Sequence, residues 1–233
     1  MNPSKSNPVV PFHAFTAARR RRRRGVCDRE RVLDAIVDAL PAPGEMVLVI
    51  GASGAGKTRL LRSVIRLGRR LGWTILRPIP APRSQTVRAA AEAGEAWMRD
   101  RMLSRFGLAE AGLLDRPVRR ISTGQRARLA ILRALLRVSG APRVLLVIDE
   151  FGSQLDRVTA ALVAHALRRA IDETGGGMGV LLAGSQDDLV RFVPADRVLD
   201  VDAGQVRLLT LAETTNSPGF SDESRDEQNK AGG

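Results

Sequence analysis

The stretch from Val47 to Leu61 limits the possible folds more than any other part of this chain. It reads Val-Leu-Val-Ile, then Gly51-Ala52-Ser53-Gly54-Ala55-Gly56-Lys57-Thr58, then Arg-Leu-Leu. An apolar run of strand character enters a glycine-rich turn, and the turn opens a helix. This is the phosphate-binding pattern G-x-x-x-x-G-K-[ST] in the strand–loop–helix setting it requires. Glycines let consecutive backbone N–H groups curl round an anion, because a Cβ would block those dihedrals. The helix behind the loop adds the positive end of its dipole. In this pattern Lys57 reaches toward β- and γ-phosphates, and Thr58 offers a hydroxyl to Mg2+.

A second stretch supports the first. Val144 to Ile148 is a continuous apolar run, the mark of a strand buried on both faces, and it ends in Asp149-Glu150. Alone, an acidic pair after a strand is an ordinary surface dipeptide. Downstream of a phosphate loop it becomes the Walker B pattern. Asp149 is then placed to hold Mg2+ through water, and Glu150 to polarise a water toward the γ-phosphate.

The remaining chain alternates strands with helices. Asp28 to Leu40 carries Val32, Leu33, Ile36, Val37 and Leu40 at three- and four-residue steps, which predicts an amphipathic helix. The helix after the loop is predicted from Lys57 to about Leu71, with Leu60, Leu61, Val64, Ile65 and Leu67 on or near its inner face. Trp73 to Leu76, Val180 to Ala183, Val198 to Val201 and Val206 to Leu211 read as strands. Residues 87–114 read as one or two helices, with Trp97 and Phe106 as packing residues. Arg126 to Leu136 is helical with an N-cap at Ser122 or Thr123. Arg157 to Ile171 is a further amphipathic helix, with Leu162, Ala166, Leu167 and Ala170 inward and His165 at the surface or its boundary. The alternation predicts an α/β fold, a mainly parallel sheet flanked by helices with a small helical subdomain at about 86–121. The expected organisation is a basic arm over 1–25, one ATPase domain over 26–213 and a tail over 214–233, with both ends disordered.

Composition narrows the setting. Aromatic residues are 3% and Tyr is absent, so the core must come from Leu, Val, Ile and Ala. The net charge is +12, nearly all of it arginine, and Arg19 to Arg24 are six arginines in a row. Such a run favours phosphate-bearing partners such as nucleic acid, or is a solvated tail. The single cysteine, Cys27, excludes an internal disulfide framework. No apolar stretch approaches the ~20 residues needed to cross a bilayer, and the N-terminus lacks a secretory pattern. A cytoplasmic chain is the expectation; any membrane part would come from another subunit.

Ile121-Ser122-Thr123-Gly124-Gln125, with the arginine-rich helix after it, resembles the LSGGQ signature of ABC-type ATPases. Ile121 stands for the Leu and Thr123 for the first Gly. Gly152-Ser-Gln-Leu-Asp156 resembles that family's D-loop. The resemblance covers roughly residues 44–208. It implies a head-to-tail homodimer, or a heterodimer of like subunits, in which each ATP-Mg2+ lies between one phosphate loop and the opposite Ser122-Thr123-Gly124-Gln125 turn. By the same resemblance Gln186 falls where a switch histidine is usual, and it can hydrogen-bond phosphate but carry no positive charge. Gln85 is the candidate for the metal-side glutamine. No aromatic stands clearly where the family stacks adenine. Phe151 replaces a usual Pro, and the segments around it look more like soluble, non-transporter members. Three readings follow: a soluble ATPase working on a macromolecule, the ATP-binding subunit of a membrane transporter, or a nucleotide-dependent switch with slow hydrolysis.

Overall fold

The computed structural model describes residues 28–137, 142–185, 188–202 and 205–209. Chain contacts divide the protein into residues 1–34 and residues 35–233. The arginine run, Cys27, Gln186 and the C-terminal tail lie outside the described residues.

Helix α1 (Asp28–Ala39) begins in the first unit, where Val32 and Leu33 are exposed rather than inward as their spacing predicts. Its last residues belong to the second unit, and there Ile36 and Leu40 pack on the core.

That second unit is built on six strands: β1 (Met46–Ile50), β2 (Thr74–Leu76), β3 (Val144–Ile148), β4 (Met178–Ala183), β5 (Arg197–Asp202) and β6 (Gln205–Leu209). Their order is β2-β3-β4-β1-β5-β6, and only the β5–β6 pairing is antiparallel. β1, β3 and β4 are buried along their whole length. Parallel strands covered on both faces need such unbroken apolar runs. The period of two splits them between two cores. Met46, Leu48 and Ile50 point into one, and Val47 and Val49 into the other.

The smaller core lies under α2 (Lys57–Arg70), whose Leu60, Leu61, Val64 and Ile65 are buried as predicted. The larger core takes α6 (Thr123–Leu135), α7 (Arg157–Glu173) and the segment between β2 and α6. That segment forms three short helices rather than one or two: α3 (Val87–Ala90), α4 (Ala96–Arg105) and α5 (Ala111–Leu114). Gly94 and Gly107, at φ 72° and 61°, interrupt the run. A last short helix, α8 (Leu189–Phe192), precedes β5. Phe106 is buried as predicted, but Trp97 is 56% exposed, its indole donating to the Glu95 carboxylate. Met102 is buried, and Trp97 sits roughly 140° round α4 from it. Leu162 is likewise 61% exposed, roughly 140° round α7 from buried Leu167. Arg105 and Arg101 both reach Glu173, at 2.5 and 2.6 Å, tying α4 to the end of α7. The Arg105 hydrogen bond holds the Glu173 carboxyl below its usual range.

One glycine sets the exit of β1. Gly51 has φ 140°, and an added Cβ would lie 2.2 Å from the Val201 carbonyl oxygen on β5. That obstacle is backbone and cannot swing aside. Gly51→Ala is expected to destabilise the fold by about 2–4 kcal/mol, a fall in melting midpoint of roughly 5–15 °C. Gly54→Ala meets nothing within 4 Å and carries only the strain of φ 82°. Its midpoint should fall by less than half as much in the same thermal melt.

Candidate nucleotide-binding site

Strands β3, β4 and β1 are parallel neighbours, so their carboxyl ends open on one edge of the sheet. Val49 pairs with Ala183, and Ile148 with Leu182. The glycine loop therefore leaves one strand, and Asp149-Glu150 leave another, with β4 between them. Gly184 and Ser185 emerge from β4 in that gap.

In the loop, Ala52, Ser53 and Gly54 are exposed, Ala55, Gly56 and Lys57 are half-buried, and Gly51 is buried. Gly51, Gly54 and Gly56 all have positive φ. The Lys57 ammonium turns back into the loop and donates to the Gly51 and Ala52 carbonyls at 2.6 and 2.8 Å. Gly56 is the N-cap of α2 and supplies no side-chain cap, so the first-turn N–H groups are left for an anion.

The two motifs meet directly. Thr58 Oγ1 donates to Asp149 Oδ2 at 2.8 Å, and the Glu150 amide donates to Asp149 Oδ1 at 3.1 Å. Glu150 has φ 54°, and among the described residues it is the one non-glycine residue with positive φ. Phe151 holds that turn in place: it is 2% exposed, and its amide donates to the Ala183 carbonyl at 2.7 Å. The Glu150 carboxylate is exposed and takes no hydrogen bond from a described residue.

The donor set suits Mg2+. Among the described residues, no group of three or more His, Cys, Asp or Glu side chains is arranged to hold a metal ion. Mg2+ needs none, since it keeps several waters and draws its other oxygens from one or two carboxylates and the substrate phosphates. Thr58 Oγ1 and Asp149 already share a hydrogen bond, and both are hard oxygen donors.

The serine turn stands apart from these groups. Ser122 caps α6 through a reciprocal box: the Gln125 amide donates to Ser122 Oγ at 3.1 Å, and the Ser122 amide to Gln125 Oε1 at 2.9 Å. Ser122 and Thr123 are exposed. Behind them the turn rests on the D-loop, where a Cβ on Gly124 would lie 3.1 Å from the Gln154 carbonyl. Asp156 ends that loop and caps α7 by accepting from the Thr159 amide and hydroxyl at 2.9 and 2.6 Å. Those bonds lower the Asp156 pKa. Among the described residues, no hydrogen bond or ion pair joins the serine turn to the glycine loop.

Among the described residues, no hydrogen bond links the Gln85 side chain to the Thr58–Asp149 pair. The Gln85 backbone pairs with Val118, and its side chain is exposed. Arg126, expected only as part of the helix, also holds the serine turn. It donates to the Ile121 carbonyl at 2.6 Å and to Thr123 Oγ1 at 2.9 Å. The three-residue step from Thr123 to Arg126 was the available signal, since such pairs share a helix face. Arg126 also borders a cleft of about 390 Å3, walled by Pro80, Ala81, Ile131 and Phe151, that reaches Glu150.

A family profile described as an AAA ATPase domain matches residues 26–182. The zinc import ATP-binding protein ZnuC of Pseudomonas entomophila is 33% identical over 163 residues, 64% of this chain and 62% of ZnuC. The chain thus spans under two thirds of that relative. The aliphatic sulfonates import ATP-binding protein SsuB 1 of Xanthomonas axonopodis pv. citri is 32% identical over 208 residues, covering 78% of this chain and 79% of SsuB 1. The cytochrome c biogenesis ATP-binding export protein CcmA of Aromatoleum aromaticum is 32% identical over 188 residues, covering 69% and 84%. In fold, the chain resembles the ATP-binding cassette MJ0796, solved as a dimer in a post-hydrolysis state with ADP and Pi. The TM-score is 0.54 at 20% identity, over 73% of this chain and 87% of that one.

Proposed function

The chain belongs to the ABC-type ATPases of the P-loop superfamily, and from that premise we propose that it binds ATP with Mg2+ and hydrolyses it between two copies set head to tail. The observation that carries the reading is the 2.8 Å bond from Thr58 to Asp149, which joins two motifs 91 residues apart.

Each group has a task. The loop amides and the open N-terminus of α2 bind the phosphates. Lys57 exchanges its two loop carbonyls for phosphate oxygens, a gain because its partner is then charged. Thr58 and Asp149 hold Mg2+, which when bound neutralises charge across the phosphate oxygens. Glu150 accepts a proton from the attacking water. Its free carboxylate and fixed backbone suit that role. Gln186 is assigned to the phosphate side. Gln186 would supply an amide without charge, so turnover is expected to be slow.

The serine turn is exposed and makes no hydrogen bond to its own glycine loop among the described residues, which supports a second copy as its partner. A symmetric pair of this kind contains two sites. Mixing a Lys57→Ala chain with a Ser122→Arg chain tests it. Each alone should be nearly inactive. A mixture should regain about one quarter of wild-type phosphate release, since half the pairs are mixed and each mixed pair has one whole site. If mixing restores nothing, the head-to-tail arrangement is wrong.

A membrane transporter subunit is the second reading. The names of the relatives speak of import and export. No described helix is long and apolar enough to cross a membrane, so a membrane partner would supply the span and this chain would work at its cytoplasmic face.

A further inference from the structure

We propose that the outer face of α2 is a docking surface for the phosphate backbone of nucleic acid, formed by Arg59, Arg62, Arg66, Arg69 and Arg70. All five are exposed. At about 100° per residue they fall within an arc of roughly 100°, and along the helix axis they span about 16 Å. α2 carries no acidic residue. Among the described residues none of the five makes an ion pair, and the one hydrogen bond from their side chains runs from Arg66 to Ser63 Oγ at 2.8 Å.

The other long helices of the second unit treat arginine differently. α4 sets Arg99, Arg101 and Arg105 against Asp100 and Glu173. α6 turns Arg126, Arg128 and Arg133 onto backbone carbonyls. α7 pairs Arg157 with Asp188, and Arg168 with Asp172 and Asp196. On α2 the charges meet only each other. Arg59–Arg62, Arg62–Arg66, Arg66–Arg69 and Arg66–Arg70 stand three or four residues apart, the spacing at which like charges destabilise a helix. Arg59 also lies in the first turn, where the helix dipole disfavours a cation; only Arg69 and Arg70, in the last turn, suit it. A polyanion laid along the stripe would offset the repulsion over its whole length.

Three kinds of occupant could meet such a face, and its chemistry favours one. A second copy offering the same face would set arginine against arginine. A lipid surface holds an interfacial helix by apolar side chains placed beside its cations, whereas Leu60, Leu61, Val64 and Ile65 of α2 are buried in the smaller core. Duplex nucleic acid asks for cations alone. It presents a charge about every 1.7 Å of its axis, so a stripe of about 16 Å faces several phosphates. The guanidinium fork matches phosphate oxygens bidentately. Such contacts grip the backbone and carry no sequence preference. The stripe stands apart in sequence from the Arg19 to Arg24 run, and its binding needs neither ATP nor a second copy.

The test measures binding of the full chain to a short mixed-sequence DNA duplex over a range of salt concentrations, without ATP. Arg62→Gln, Arg66→Gln and Arg69→Gln together should weaken binding by about tenfold or more. They should also make the plot of log affinity against log salt shallower by about 3, close to one unit per phosphate contact. Gln is close to Arg in helix propensity, so the melting midpoint should stay near wild type. A companion chain with Arg83→Gln, Arg119→Gln and Arg120→Gln loses the same charge from other exposed arginines, and its slope should stay near wild type. The stripe effect should persist in a chain whose Arg19 to Arg24 are all replaced by Gln. Equal losses in the stripe and companion chains would mark net charge alone and overturn the proposal. So would a stripe chain with wild-type affinity and slope, or a wild-type chain that does not bind the duplex at low salt. Vesicles containing anionic lipid form the last arm. If the stripe chain loses vesicle binding while its DNA binding is unchanged, the partner is a lipid surface and the nucleic-acid assignment is wrong.

Discussion

Replacing Glu150 with Gln is expected to lower ATP turnover by about 10²–10⁴-fold, the usual loss when a positioned general base is removed. ATP affinity should stay close to wild type. The two effects separate because of how Glu150 is held. Its position depends on backbone contacts that a glutamine keeps: the amide on Asp149 Oδ1, its carbonyl accepting from the Ser153 amide at 3.1 Å, and buried Phe151 pinned to Ala183. Its carboxylate carries no structural hydrogen bond from the described residues, so Gln breaks none. Only the capacity to accept a proton is lost. Asp149→Asn should behave differently. Asp149 receives Thr58 on one oxygen and the Glu150 amide on the other. Its loss should weaken Mg2+-dependent nucleotide binding first and turnover as a consequence. Steady-state phosphate release and equilibrium ATP binding, measured on both variants, check this. Turnover by Glu150→Gln at the wild-type rate would show that another group serves as base.

The strands at the centre of the sheet were the most legible part of the sequence. β3 matches its predicted span, Val144 to Ile148, because a strand buried on both faces needs an unbroken apolar run and leaves no choice of face. α2 was legible for a related reason: its apolar positions repeat at three and four residues, and Leu60, Leu61, Val64 and Ile65 are buried, with Leu67 half-buried at the margin. Failures came where a side chain sits at the margin of a buried stripe. Trp97 and Leu162 have the hydrophobicity of core residues, but their angle round the helix turns them to solvent. The helical segment was mis-segmented because its breaks depend on glycines taking positive φ, and the same glycines could have stayed within a helix. At the site, the spacing of the motifs announced the phosphate loop and the acidic pair. It gave no sign that Glu150 would adopt φ 54°, nor that Arg126 would fold back onto the serine turn. Those features arise from contacts with β4 and from rotamer choice, which a pattern of residue types does not encode.

Lys57→Ala should remove ATP binding with little harm to the fold. Lys57 makes two hydrogen bonds, both to carbonyls of its own loop, and neither reaches another element. Its ammonium is half-buried in that loop, so the free chain keeps the positive charge next to the amides that would hold phosphate. Alanine is a good helix former at the first position of α2, which limits the structural cost. The loss falls on the complex. Lys57 would make charge-assisted bonds to phosphate, each worth about 1.5–3 kcal/mol, so two of them correspond to roughly a 10²–10⁴-fold change in affinity. Thermal melting separates the two cases. With ATP at about a thousand times its dissociation constant, the wild-type chain gains about 4 kcal/mol, a rise of roughly 8–16 °C in midpoint. The Lys57→Ala chain should melt near the wild-type midpoint without ATP and gain only a few degrees with it. Lys57→Arg should recover little of the shift. The guanidinium is larger and planar, and the cradle was closed around a point charge held by two carbonyls 2.6 and 2.8 Å away. A full ATP-dependent shift in Lys57→Ala would mean that the loop amides and the α2 dipole bind phosphate without the lysine. The charge of Lys57 would then matter in the transition state alone.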